Sequence, residues 1–249
     1  MAIAVLQVRP PSHQAPNRCA MLPALNRALF LGAVLLAGCT TPPPAADAEG
    51  WHAVPLPGKA ATRYAWTTKD GRRALAAQAE RSASMFRRHV KHHPGGTPPG
   101  EISFSWWVQD LIEGASVADI EREDAVARVI FGFDGDHRKL PFRTRALFDL
   151  AEALTGEKPP YATLMYVWDA TAPVGTVIVN PRSDRIRKIV VDSGPAHLRR
   201  WREHRRDLAA DYRLAFGEEP GALLSIAVMT DSDNTGARAR SWYGGVALH

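Results

Sequence analysis

Apolar and polar residues alternate with a period of two along most of the chain after residue 60, the signature of half-buried strands. In Glu101 to Val108, Ile102, Phe104, Trp106 and Val108 point one way while Ser103, Ser105 and Trp107 point the other. Runs of the same kind, rich in Val, Ile and aromatics, cover Ala125 to Phe133, Ala162 to Trp168, Ile186 to Asp192, Leu223 to Thr230 and Ser241 to Leu248. Upstream, Thr62 to Trp66, Arg73 to Ala79 and Ser84 to Val90 read as strands, the first two joined by a Lys69-Asp70-Gly71 turn. Two segments follow a helical period instead: Arg143 to Leu154, closed by Gly156, and His197 to Phe216, closed by Gly217. In the second, Leu198, Trp201, Leu208, Tyr212 and Phe216 form an apolar stripe and five arginines crowd the other faces, either as a solvated basic side or as an anion site. Many short strands with few helices predict a mainly β fold, an antiparallel β-sandwich of jelly-roll type with one or two helical insertions.

The first fifty residues have a different pattern. A short apolar run, Ala28 to Leu36, follows Arg27 and ends in Leu36-Ala37-Gly38-Cys39. It is too short to span a membrane but suits a secretory leader. The four residues resemble the lipobox of bacterial lipoproteins, which implies cleavage before Cys39 and lipidation of its thiol. Residues 1–38 are thus expected to be a signal peptide, with Met21 the more ordinary start, and 39–50 a lipidated flexible tether rich in Pro and Ala. Residues 51–249 form a single β-sandwich domain in this reading. Thr40 after the cysteine resembles an outer-membrane address in a two-membrane bacterium, which would place the domain on the periplasmic face of that membrane.

Cysteine and charge sharpen this picture. The chain has only Cys19 and Cys39, so the mature domain has no disulfide, no Cys-ligated zinc and no thiol nucleophile. The formal net charge of +5 includes Arg9, Arg18 and Arg27 of the leader and falls to +2 without them, which removes the argument for a nucleic-acid partner.

Several blocks, taken in order, resemble an uncharacterised bacterial family, domain of unknown function 3047. They are Trp51 to Lys59 with Thr62 and Tyr64, Ser82-Ala83-Ser84, Trp106-Trp107-Val108, Asp124 to Arg128, Tyr166-Val167-Trp168, Asp211-Tyr212 with Phe216-Gly217, and Thr230 to Thr235 before Tyr243-Gly244. Where that family shows Gly-Asp-Asp, this chain has Arg122-Glu123-Asp124. The resemblance implies an exported β-rich domain of the galactose-binding jelly-roll type and no established activity.

Candidate chemistry is sparse. Asp231-Ser232-Asp233-Asn234-Thr235-Gly236 begins like a calcium loop, with Asp231 and Asp233 as ligands of a structural calcium. Thr235 stands where Asp or Asn is usual and Trp242 where a closing Glu belongs, so a polar turn between strands explains the segment equally. No Gly-x-Ser-x-Gly elbow occurs, and His137, His197 and His204 lack metal-ligand spacing. Aromatics offer a binding clue: Trp107, Trp168, Trp242 and Tyr243 are the candidate ligand-stacking residues, Trp107 foremost because it shares a strand face with Ser103 and Ser105. The sequence therefore favours a non-catalytic binder of a glycan or other envelope component. A polysaccharide-acting enzyme using Asp124, Asp134, Asp136, Asp231 or Asp233, and an envelope assembly protein, are the alternatives.

Overall fold

A computed structural model describes residues 47, 49–90 and 100–249. The expected leader, Cys39 and the expected tether up to residue 46 lie outside the described residues. The domain's first described contacts come before Trp51: the Asp47 carboxylate accepts from Glu49 N, Trp51 N and Trp66 Nε1, the last at 2.7 Å. Residues 43–249 form one compact unit.

Among the described residues, thirteen strands, two α-helices and one short 3-10 helix (His137–Lys139) follow in chain order. The strands are β1 (His52–Pro55), β2 (Arg63–Lys69), β3 (Arg72–Glu80), β4 (Ser84–His89), β5 (Glu101–Val108), β6 (Arg128–Phe133) and β7 (Ala162–Asp169), then β8 (Val177–Asn180), β9 (Ser183–Ser193), β10 (Trp201–Asp207), β11 (Leu223–Met229), β12 (Arg238–Tyr243) and β13 (Ala247–Leu248). Helix α1 (Phe142–Thr155) separates β6 from β7, and α2 (Leu208–Phe216) follows β10. Seven strands form one sheet in the order β1-β4-β11-β6-β7-β9-β8. The other sheet runs β10-β5-β12-β3-β2, with β13 also on β5. The expected mainly β sandwich of jelly-roll type with helical insertions is the fold.

One pair departs from the antiparallel expectation: β7 and β9 run parallel. The chain leaves β7 for the short edge strand β8, turns at Asn180 and returns as β9 between the two. Asn180 Oδ1 accepts from Arg182 N at 2.8 Å and so fixes that turn.

The inner faces pack Phe104, Trp106, Phe131, Phe133, Tyr166 and Trp168 into one core, all at 2 % exposure or less. Burying a side chain of this size contributes about 1.5–3 kcal/mol. A loop over 109–127 covers part of the outer face of the seven-stranded sheet, where Val117 and Ala125 pack with Val167, Ile178 and Val190.

The expected helix from His197 to Phe216 is corrected. Residues 201–207 are edge strand β10, paired with β5 from Trp201 opposite Trp107 to Asp207 opposite Glu101. Helix begins only at Leu208, where the Asp207 carboxylate caps it by accepting from Ala210 N at 2.9 Å. The misleading feature is that the inward side of β10 is charged. Arg202 and His204 donate to Asp192 at 3.0 and 2.9 Å, and Arg206 makes a two-pronged pair with Asp211 at 2.8 and 2.6 Å. Buried carboxylates therefore make basic residues the inside of this strand, and the arginines taken as a helix surface do not form one basic face.

Candidate functional site

The register of the six-stranded sheet sets three indoles in a line. Trp201 of β10 lies opposite Trp107 of β5, and Trp107 lies opposite Trp242 of β12. The row continues through Ala76 of β3 to Ala65 of β2. Directly opposed residues share a face, and Trp106 points into the core, where its Nε1 donates to Asp192 at 2.8 Å. Trp107 and its neighbours in the row therefore occupy the outer face. At about 4.8 Å per strand the three tryptophans span about 10 Å across the sheet.

Trp107 and Trp242 meet edge to face, with ring centroids 4.9 Å apart. The Lys69 ammonium sits 3.8 Å from the Trp107 ring centroid and Arg72 lies 5.3 Å from that of Trp201. Trp107 is 7 % exposed under this cover, whereas Trp201 and Trp242 are partly exposed. The indole nitrogens of Trp107 and Trp201 have no hydrogen-bond partner among the described residues, although such donors usually find one. Gly244 allows the close approach beside the row: a Cβ there would stand 2.1 Å from Ser105 Oγ and 3.5 Å from the Trp201 ring.

One register step of two residues away, Arg240, Gln78 and Arg63 stand opposite one another on β12, β3 and β2. They line a cleft of about 510 Å³ together with Gln109, Asp110 and the Glu80–Arg238 pair. A polar cleft thus adjoins an aromatic row on one sheet face.

The other candidate residues fall elsewhere. Trp168 and Tyr243 are each 1 % exposed in the core, which corrects their reading as ligand-stacking rings. Trp168 Nε1 donates to Gly194 O at 3.1 Å, and Tyr243 OH donates to Met229 O at 2.6 Å. Tyr243 is the neighbour of Trp242 in a strand, so the two must face opposite sides.

Asp124, Asp231 and Asp233 do converge, with one oxygen of each within 4.8 Å of the others. Asp134 and Asp136 lie at the far end of β6. Each converging carboxylate already has protein donors. Asp124 accepts from Asn234 N, Thr235 N and Thr235 Oγ1 at 3.1, 2.7 and 2.6 Å. Asp231 accepts from Arg128 Nε and Nη2 at 3.0 and 2.7 Å and from Ala125 N at 3.1 Å. Asp233 pairs with Lys59. A divalent cation would have to displace Lys59 and share Asp231 with a buried guanidinium, so this donor set fits a cation poorly.

Glu123 extends the network. Its carboxylate receives Lys188 Nζ at 2.6 Å, Asn180 Nδ2 at 2.9 Å and Arg182 Nη1 at 3.0 Å. Burial, reinforced by the nearby Arg128 charge, pushes the Lys188 ammonium down to about 8. The cluster ties the 109–127 loop to β6, β9 and the Asp231 turn. Glu123, Asp124, Arg128, Lys188 and Asp231 are all buried, and the cluster reads as a brace.

No functionally curated protein matches the chain. Among solved structures, the xyloglucanase domain of the type three effector NopAA from Sinorhizobium fredii has a TM-score of 0.39 at 8 % identity, over 81 % of this chain and 94 % of that one. A family 11 carbohydrate-binding module of a Clostridium thermocellum cellulosomal cellulase gives 0.36 at 10 % identity, over 80 % and 86 %. The family 11 xylanase from Neocallimastix patriciarum gives 0.34 at 10 %, over 81 % and 93 %. These values are too low to transfer a ligand or an activity. Residues 49–247 match the family described as protein of unknown function DUF3047, and the chain belongs to that family.

Proposed function

We propose that this domain is a non-catalytic binder of a cell-envelope glycan, held to a membrane outside the cytoplasm by a lipid on Cys39. The row of Trp201, Trp107 and Trp242 across three adjacent strands carries this reading. Flat apolar faces of sugar rings stack on indoles, while neighbouring polar groups fix the hydroxyls. The spacing of the row suits successive units of a chain laid across the strands. Two indole N–H groups without acceptors supply donors that sugar oxygens could satisfy once Lys69 and Arg72 move aside.

Titration of the 43–249 unit with soluble envelope glycans, followed by calorimetry and tryptophan fluorescence, tests the binding reading. Saturable binding that is lost in Trp242→Ala and Trp201→Ala, with unchanged thermal midpoints, is the expected result. Binding unaffected by either substitution would move the site off this face, and no binding to any envelope glycan would remove the reading. Mass spectrometry of the membrane-extracted protein tests the lipid separately.

A further inference from the structure

We infer that the ligand of this face is an anionic glycan whose charge is carried by carboxylate groups. The inference rests on the binding reading above and names the ligand class of the same site. It comes from the cleft beside the tryptophan row, which that reading does not need.

Arg63 and Arg240 flank Gln78 across three neighbouring strands, about 10 Å apart at their backbones by two strand spacings. Neither guanidinium has a carboxylate partner among the described residues. Both acids that line the cleft do: Glu80 pairs with Arg238 at 2.5 Å and Asp110 with Arg199 at 2.6 Å. The cleft therefore retains two unneutralised cations after its internal pairs are counted. Gln78 between them offers both an amide donor and an acceptor.

A guanidinium presents two parallel N–H groups that match the two oxygens of a carboxylate, and such pairs are about twice as strong as neutral hydrogen bonds. Arg240 also lies 5.9 Å from the ring centroid of Trp242. A sugar stacked on Trp242 would thus hold a ring substituent at the mouth of the cleft. A carboxylate on that ring, as in a uronic acid unit, is the substituent that two free arginines recognise.

The test compares three probes on the 43–249 unit: polygalacturonate, its fully methyl-esterified form and dextran sulfate. Polygalacturonate is expected to bind at least about ten-fold more tightly than its ester, the worth of one charge-assisted pair. Arg63→Gln and Arg240→Gln are each expected to abolish that preference, bringing acid and ester to about equal affinity. Equal binding of acid and ester would overturn the inference and leave the glycan-binding reading standing. Tighter binding of dextran sulfate that is indifferent to Trp242→Ala would also overturn it, as simple ion exchange. Failure of both galacturonate forms to bind, alongside binding of a neutral envelope glycan, would overturn the inference alone.

Discussion

The Lys69 ammonium lies 3.8 Å from the centroid of the Trp107 ring, over the face a stacked ligand would use. Its side chain is only partly exposed, at 23 %, so the lysine is folded down on the indole rather than extended into water. A cation on an aromatic face gains about 0.5–1 kcal/mol at an exposed site. This cover is cheap to lift. Lys69→Ala is expected to raise acrylamide quenching of tryptophan fluorescence and to tighten binding of neutral oligosaccharides several-fold. Unchanged quenching would show that Lys69 does not shield the ring.

Gly244 is required by the close approach of Ser105. Gly244→Ala should lower stability by about 1 kcal/mol, the low end for overpacking, because a hydroxyl can swing to another rotamer. The obstruction is the Ser105 hydroxyl, with the rest of that side chain 3.5 Å away. Ser105→Ala in the same chain should therefore recover part of the loss. Denaturant midpoints of the single and double variants measure this, and strict additivity would place the strain elsewhere.

Arg128 is 3 % exposed and holds Asp231 by two hydrogen bonds. Arg128→Ala leaves a buried carboxylate without its cation and should cost about 3–5 kcal/mol. Replacing both partners, as Arg128→Met with Asp231→Asn, should cost less than the single change. A double variant no better than the single one, by urea unfolding, would show that the pair is not the source of the loss.

Lys188 gives the alkaline stability profile a sign. Its unfolded ammonium keeps its proton to about 10.5, while burial in the fold brings loss of the proton down to about 8. Between those values the unfolded chain binds more protons, so the stability contributed by this group rises with pH there. Urea midpoints compared with those of Lys188→Met should show a difference that moves in favour of the native lysine from about pH 8 to about pH 10. A flat difference would mean that the lysine stays charged in the fold.

Calcium must compete with Lys59 for Asp233 and with Arg128 for Asp231. The thermal midpoints in excess calcium and in EDTA are therefore expected to coincide. A clear rise with calcium would show a folded-state ion site at these carboxylates, and Asp233→Asn should then remove it.

The legibility of the fold in the sequence followed local pattern closely. The Glu101–Val108 strand has the bounds its alternation predicts, and α1 extends the expected helix by one residue at each end. What failed was wherever the partner decides the pattern. Arg202, His204 and Arg206 face inward because Asp192 and Asp211 wait for them on other elements, and no periodicity in 201–207 announces that. Trp201 is expected in a helical stripe, and its place beside Trp107 depends on the long-range pairing of β10 with β5. Trp107 and Trp242 were legible as candidates, but their alignment is a matter of strand order. Asp124 meets Asp231 through the pairing of β6 with β11, again a long-range register. Adjacent Trp242 and Tyr243 did carry a usable signal, since neighbours in a strand cannot share a face.

Strand β10 stands at one end of the six-stranded sheet, with no second strand paired to it among the described residues. Such an edge invites a strand from another molecule, and inward-turned charge is one of the ways natural sheets refuse it. Arg202 and Arg206 are turned inward here and held there by carboxylates. A foreign strand docking in register would have to accommodate those groups together with exposed Glu203 and Arg205. The ion pairs that turn these arginines inward therefore also make β10 a poor template for a foreign strand.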